Sequence, residues 1–347
     1  MLAQAVGVAI GFGALAHGLR RQAGPGAALA VALVVLAGCI PAVAVAGVQL
    51  FSVALFGVLL LLLELEYRIW LAVPLIALWG NLHGGVLVGL GLLACYAVFH
   101  RRRALPVLAA SILAVFANPA LWSTPRYYDA VFHTAVAREG KGMWGPLGAS
   151  GFDVILIVAG ILLLAAVARR PDVRLWEAIA LLGLAAGTAH AARTGTFFLF
   201  VAAYPAARGL RLPAPRPALV TGAAIVSTLV AFALVAKGPI DPGSRRLATE
   251  AARSGAPVLA DPILGQQVAL AGGRVWVDNP VDAFRRADQQ LYLDWLDGKP
   301  SGASAVGHAQ LVLVRPTSKA GRRAARDARL ARIAADAHAV LYRVSGG

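Results

Sequence analysis

The segment Trp79-Gly80-Asn81-Leu82-His83-Gly84-Gly85 sets two polar side chains among three glycines, where one apolar run stops and the next begins. Glycine lets the backbone turn sharply or approach a neighbour closely, and Asn81 and His83 bring hydrogen-bonding groups to an otherwise apolar stretch. Two uses fit these residue types. His83 is a phosphate contact or proton carrier in an outward-facing cavity; alternatively, the segment is a turn between helices in which Asn81 caps and His83 bonds a neighbouring carbonyl. Arg126, Asp129, His133, Arg138, Glu139 and Lys141 fall close together between Asn118 and Gly151. Such arginines hold a diphosphate, and a carboxylate, Asp129 or Glu139, deprotonates an acceptor hydroxyl. A solvated amphipathic helix followed by a loop accounts for the same letters.

His190 and Arg193 end an apolar run, and Arg193 is the lone arginine of a short gap expected to face outward. It binds a lipid phosphate, pairs with the 118–151 loop, or snorkels to an interface. Asp278 follows the β-rich run Arg274-Val275-Trp276-Val277 and precedes the turn signal Asn279-Pro280. A carboxylate there either contacts a ligand at the carboxyl end of a parallel strand or caps the helix that follows. Glu64 and Glu66 with Arg68 read as an interfacial cluster without chemistry. No Walker loop, GxSxG, HExxH or paired CxxC motif occurs, which excludes the usual routes to ATP-driven transport, serine hydrolysis and structural zinc.

The elements that must position these groups are mostly apolar. With 59% hydrophobic and 14% charged residues among 347, the composition departs from that of an ordinary globular domain. About ten apolar runs lie between Leu2 and Val235, the last of them from Ala218 to Val235. Arginines fall in alternate gaps, at Arg20 and Arg21, Arg68, Arg101 to Arg103, Arg169 to Arg174 and Arg208 to Arg216. By the positive-inside rule these gaps face the cytoplasm, so both chain ends and the His83 turn face outward. The expected architecture is mainly α: a polytopic transmembrane bundle over residues 1–236, with an outward loop at 117–151. A linker near Pro239 to Gly243 then leads to a small extracytoplasmic α/β domain over 237–347, with strands at Pro257–Ala260, Arg274–Asp278, Gln310–Val314 and Ala339–Arg343 and a helix over Thr317–His338. The net charge of +15 is divided between the apolar part and the tail and carries no nucleic-acid motif, so anionic lipid is the expected partner and nucleic acid is not. Cys39 and Cys95 both lie in apolar runs, which leaves the tail without a disulfide.

Taken in order, Gln49-Leu50-Phe51-Ser52, Trp79 to Gly85, Asn118-Pro119, Arg193 and Arg274-Val275-Trp276-Val277-Asp278 resemble a group of bacterial polytopic membrane proteins related to the GT-C glycosyltransferases. The resemblance implies a multi-pass protein of the bacterial inner membrane, a polyprenyl-phosphate-linked sugar donor, and transfer at the outer face. It also implies a catalytic carboxylate in the first extracytoplasmic loop, often with a divalent metal ion. The chain departs from that pattern, because Leu2 opens directly on an apolar run and Met143 stands before Trp144 where relatives carry an acid. The expectation is a chain lacking the first span and its catalytic loop, and inactive as it stands. Asp129 or Glu139 then serves as the surviving base, with Asn81, His83, Arg126, Arg138, His190, Arg193 and Asp278 as substrate contacts. The alternative is a non-enzymatic, membrane-anchored envelope protein whose tail binds a partner.

Overall fold

A computed structural model describes residues 2–43, 49–140, 144–148, 153–169, 172–214, 242–278 and 281–345. The expected run Ala218 to Val235, most of the linker, Lys141, Met143 and Asn279-Pro280 lie outside them. The chain divides into two compact units, residues 1–129 with 140–220 and residues 130–139 with 221–347.

The first unit is helical: α1 (Leu2–Ala23), α2 (Pro25–Val43), α3 (Gln49–Glu64), α4 (Ala72–Leu82), α5 (Val86–Phe99), α6 (Arg101–Ala114) and α7 (Thr124–Phe132, whose last residues fall in the second unit). After α8 (Ala135–Arg138), which belongs to the second unit, come α9 (Asp153–Ala168), α10 (Leu175–His190) and α11 (Gly195–Arg208). The apolar runs form helices as expected of residues that cannot satisfy their backbone in any other local way, but the helices are short. Most have 9–16 residues, about 14–24 Å at the α-helical rise, against the roughly 30 Å of a hydrocarbon core. The 19 residues of α2 reach about 28 Å, and the 22 of α1 include Gln4 and His17 and end on Arg20 and Arg21. Among the described residues no helix is long and apolar enough to cross a membrane. This overturns the polytopic transmembrane bundle and, with it, the multi-pass inner-membrane placement.

The helices instead bury a shared core. In α11 nearly every residue from Phe198 to Ala207 is buried, and Leu59, Trp79, Leu93 and Trp176 pack into the same cluster. The helices α1 and α3 meet closely at Gly11 and Gly57: a Cβ on Gly57 would stand 2.6 Å from the Gly11 carbonyl oxygen, too close for any larger residue without backbone displacement. Large apolar side chains, among them Trp122, Leu175 and Leu182, stay exposed on this unit.

In the second unit α12 (Pro242–Arg253) precedes β1 (Pro257–Ala260), α13 (Pro262–Leu270), β2 (Arg274–Val275), α14 (Arg286–Leu296), β3 (Leu311–Val314), α15 (Lys319–Ala324), β4 (Leu330–Ala335) and β5 (Val340–Val344). The sheet order is β2-β1-β3-β5-β4. The pairs β1–β2 and β1–β3 are parallel, and β3–β5 and β4–β5 antiparallel. Period-2 alternation splits the core by face. Val258, Leu311 and Leu313 pack with Leu247, Leu264 and Val268 of α12 and α13, while Leu259, Val312 and Val314 pack with Tyr292, Trp295 and Ala320 of α14 and α15. The expected helix over Thr317–His338 is corrected. It stops at Ala324, and residues 330–335 pair with β5 because the Asp327 carboxylate accepts from the Arg329 backbone N–H at 3.1 Å and bonds its guanidinium, turning the chain back.

Candidate functional site

In the helical unit α4 stops at His83, whose backbone is extended while its N–H still reaches the Trp79 carbonyl at 2.9 Å. This break directs the imidazole toward Ser52 on the neighbouring α3. The Trp79 indole N–H donates to Ser52 Oγ at 2.8 Å, and Oγ lies 2.7 Å from His83 Nδ1. An indole can only donate, so the hydroxyl accepts from Trp79 and gives its own proton to Nδ1. The Gly85 backbone N–H donates to the same nitrogen at 3.1 Å. With two donors aimed at it, Nδ1 carries the lone pair and the ring proton sits on Nε2. Residue 85 must be glycine for this: a Cβ there would stand 2.7 Å from Ser52 Oγ and 2.9 Å from Nδ1.

Electrostatics reinforces that state. Burial, and then the charge of Arg193, hold His83 below the ordinary histidine value of 6.5, so the ring is neutral at pH 7. Burial lowers Arg193 itself only to about 10, which leaves it cationic. Arg193 sits in the short turn between α10 and α11, and its guanidinium carbon lies 3.1 Å from the centroid of the Trp144 ring. Residues 144–148 are tied to that turn by the Ala192 N–H to the Gly145 carbonyl at 3.0 Å and the Leu147 N–H to the Ala189 carbonyl at 3.2 Å. Among the described residues Arg193 has no carboxylate partner. Tyr128 of α7 lies beside Gly84, and burial pushes its hydroxyl up to about 12. The arrangement is a neutral N–H donor within the field of a cation that rests on an indole.

The other residues singled out in the sequence are dispersed. Asn81 is exposed and donates to the Ala77 and Ala117 carbonyls at 2.8 and 2.7 Å, tying the end of α4 to the segment after α6. Arg126, Asp129 and His190 are exposed on the helical unit. Arg138 and Glu139 belong to the second unit, where Arg138 is exposed and Glu139 accepts from Gln290 and lies 3.8 Å from Lys299 Nζ. Asp129 and Glu139 are therefore divided between two units. Asp278 is buried beside Gly265 of α13.

Sequence reasoning missed Asp261, which caps the end of β1. Its Oδ2 accepts from the Arg315 N–H at 2.6 Å and Ser318 Oγ at 3.2 Å, cross-linking the loops after the parallel strands β1 and β3. Tyr292 donates to the Ala260 carbonyl at 2.9 Å, and its hydroxyl is pushed upward by burial and then by Asp278 and Asp261, so the three side chains gather where β1 ends. Ser52 was missed as the group that sets the His83 proton, although Trp79 and Gly85, the two residues that direct it, stand in the same short segment as His83. Among the described residues no group of three or more His, Cys, Asp or Glu is placed to hold a metal ion.

Comparison with known proteins finds no matching family model, no matching characterised protein and no matching solved structure. The likeness to GT-C glycosyltransferases thus rests on the sequence segments alone.

Proposed function

We propose that the helical unit holds the phosphate of a polyprenyl-phosphate-linked sugar through Arg193 and the Nε2–H of His83, and that the chain acts in glycosyl transfer. The observation that carries this reading is the double donation to His83 Nδ1 by Ser52 and Gly85, which leaves Nε2–H as a fixed donor within the field of Arg193, a guanidinium with no carboxylate partner among the described residues. A charged and a neutral donor together suit a phosphate oxygen, and neither loses its proton to it near pH 7. Ser52 is not the nucleophile in this reading, since its hydroxyl is buried and engaged at both ends. Asp129 is the base assigned here, because α7 also brings Tyr128 against Gly84 within the same unit. Glu139 drops out, being held by Gln290 in the other unit.

The test is titration of the full chain with a short-chain polyprenyl phosphate, followed by Trp144 fluorescence and calorimetry. Binding that weakens at least tenfold in Arg193→Ala, and again in His83→Ala, supports the proposal. Equal binding of the unphosphorylated polyprenol, or no binding at all, overturns it. Retained transfer activity in Asp129→Asn would remove that residue from the scheme while leaving the phosphate site intact.

A further inference from the structure

At a different place in the helical unit, the ends of α1, α3 and α11 meet the start of α10 around two buried carboxyl groups. Glu64 closes α3 and Glu177 lies in the first turn of α10; both are almost fully buried. One guanidinium joins them: Arg208 Nη2 lies 2.5 Å from Glu177 Oε2, and Arg208 Nη1 lies 3.5 Å from Glu64 Oε2. The two terminal nitrogens of one guanidinium are adjacent, so the two carboxyl groups stand side by side, within hydrogen-bonding reach of each other.

The remaining donors all converge on the same two oxygens. Glu64 Oε2 also accepts from Gln22 Nε2 at 2.9 Å and Arg174 Nη1 at 3.3 Å, while Glu177 Oε2 accepts from the Arg174 backbone N–H at 2.8 Å. Among the described residues, Oε1 of Glu64 and Oε1 of Glu177 are both buried with no donor. An unsatisfied carboxylate oxygen in a dry interior is costly, and two adjacent ones repel. Two carboxylates cannot hydrogen-bond to each other, whereas a carboxylic acid and a carboxylate can.

We infer that Glu64 and Glu177 form a proton-binding site, holding one shared proton at neutral pH and clasping the four helices α1, α3, α10 and α11. The step is simple: a proton from water forms one O–H bond on the pair, and the site passes from neutral to a net charge of plus one across Glu64, Glu177, Arg174 and Arg208. The groups facing the pair accommodate that charge. Tyr96 of α5 and Tyr204 of α11 are neutral, their hydroxyls raised first by burial. Glu66, paired with His100 at 3.6 Å, lies near Tyr96, and Asp172, whose carbonyl accepts from Arg208 at 3.1 Å, lies near Arg208. The elements that pack on α3 from its other sides, α4 and the turn Ile69–Leu71, contribute no ionisable side chain. Burial, and next the charge of Glu177, raise Glu64 to about 8, as such a pair requires.

The test is the infrared spectrum of the full chain at pH 7. A protonated carboxylic-acid carbonyl band that is lost in both Glu64→Gln and Glu177→Gln, and kept in Glu139→Gln, supports the inference. Absence of the band in the unsubstituted chain overturns it, as does a band that survives both substitutions. The unsubstituted chain also decides the matter by itself should a variant not fold. Its thermal midpoint falls as pH rises from 5 to 8 if the proton is held, whereas a midpoint flat across that range, or one set by sodium concentration at constant ionic strength, overturns the site in favour of an ionised or cation-filled pair. Loss of this site would leave the His83 and Arg193 reading untouched, since neither residue contributes to it.

Discussion

The helical unit contains two polar clusters that solve the same problem in opposite ways. Around His83 the bonds interlock without excess charge: Trp79 gives to Ser52, and Ser52 and Gly85 both give to Nδ1, which fixes the ring proton on Nε2. Around Glu64 the carboxyl oxygens outnumber the donors that reach them, because every bond that Gln22, Arg174 and Arg208 give to the two carboxyl groups ends on an Oε2 atom, and among the described residues none reaches either Oε1. A matched network fixes a side chain's charge state without help from solvent. A mismatched one must import a proton, and its charge state becomes a function of pH.

Breaking the mismatched cluster should have the larger effect. Arg208→Ala strips the shared guanidinium from two buried carboxyl groups and should cost about 3–5 kcal/mol of stability, read from denaturant unfolding. The pH dependence of stability sharpens the contrast. Glu64 is raised in the folded state from 4.5 to about 8, so the folded chain holds the extra proton between those values. The stability it contributes is complete below about pH 4.5 and is lost as pH rises through about 8. Unfolding midpoints measured across that range should fall with pH in the unsubstituted chain and lose most of that slope in Glu64→Gln. In the matched cluster, Ser52→Ala removes one donor to Nδ1 and orphans the Trp79 N–H, for a cost of about 1–3 kcal/mol. Titration of the imidazole by NMR should show the His83 value moving upward in that variant. Asn81→Ala should cost least, about 0.5–1.5 kcal/mol by unfolding, since it removes only exposed bonds to the Ala77 and Ala117 carbonyls.

The two clusters also differ in how far a reading of the chain could reach them. His83 stood out because its polar and glycine neighbours are local, and Trp79, which directs Ser52, is four residues away. Glu64 read as an interfacial residue because nothing near it in sequence pairs with it; its partners Glu177 and Arg208 sit on helices more than a hundred residues later. Length misled in the apolar runs. Alternating arginines gave a consistent sidedness, yet stretches such as Val86 to Phe99 form helices of 14 residues, roughly two thirds of a bilayer's hydrocarbon depth. In the tail, β1 and β3 were legible from β-branched and leucine runs bounded by turn residues. The segment from Leu330 to Ala335 was not, because its Ala and Arg content favours a helix and only pairing with β5 makes it a strand. Asp261 carried no local signal at all, since its partners Arg315 and Ser318 arrive with the loop after β3.

The proposed phosphate site depends on the position of one imidazole proton. A nitrogen–proton correlation spectrum of His83, recorded as pH is lowered through 6.5, should show a neutral ring bearing its proton on Nε2 and protonating only below that ordinary value. A proton on Nδ1, or an imidazolium already formed at or above pH 6.5, would contradict the donor network and remove the basis for a phosphate held by His83 and Arg193.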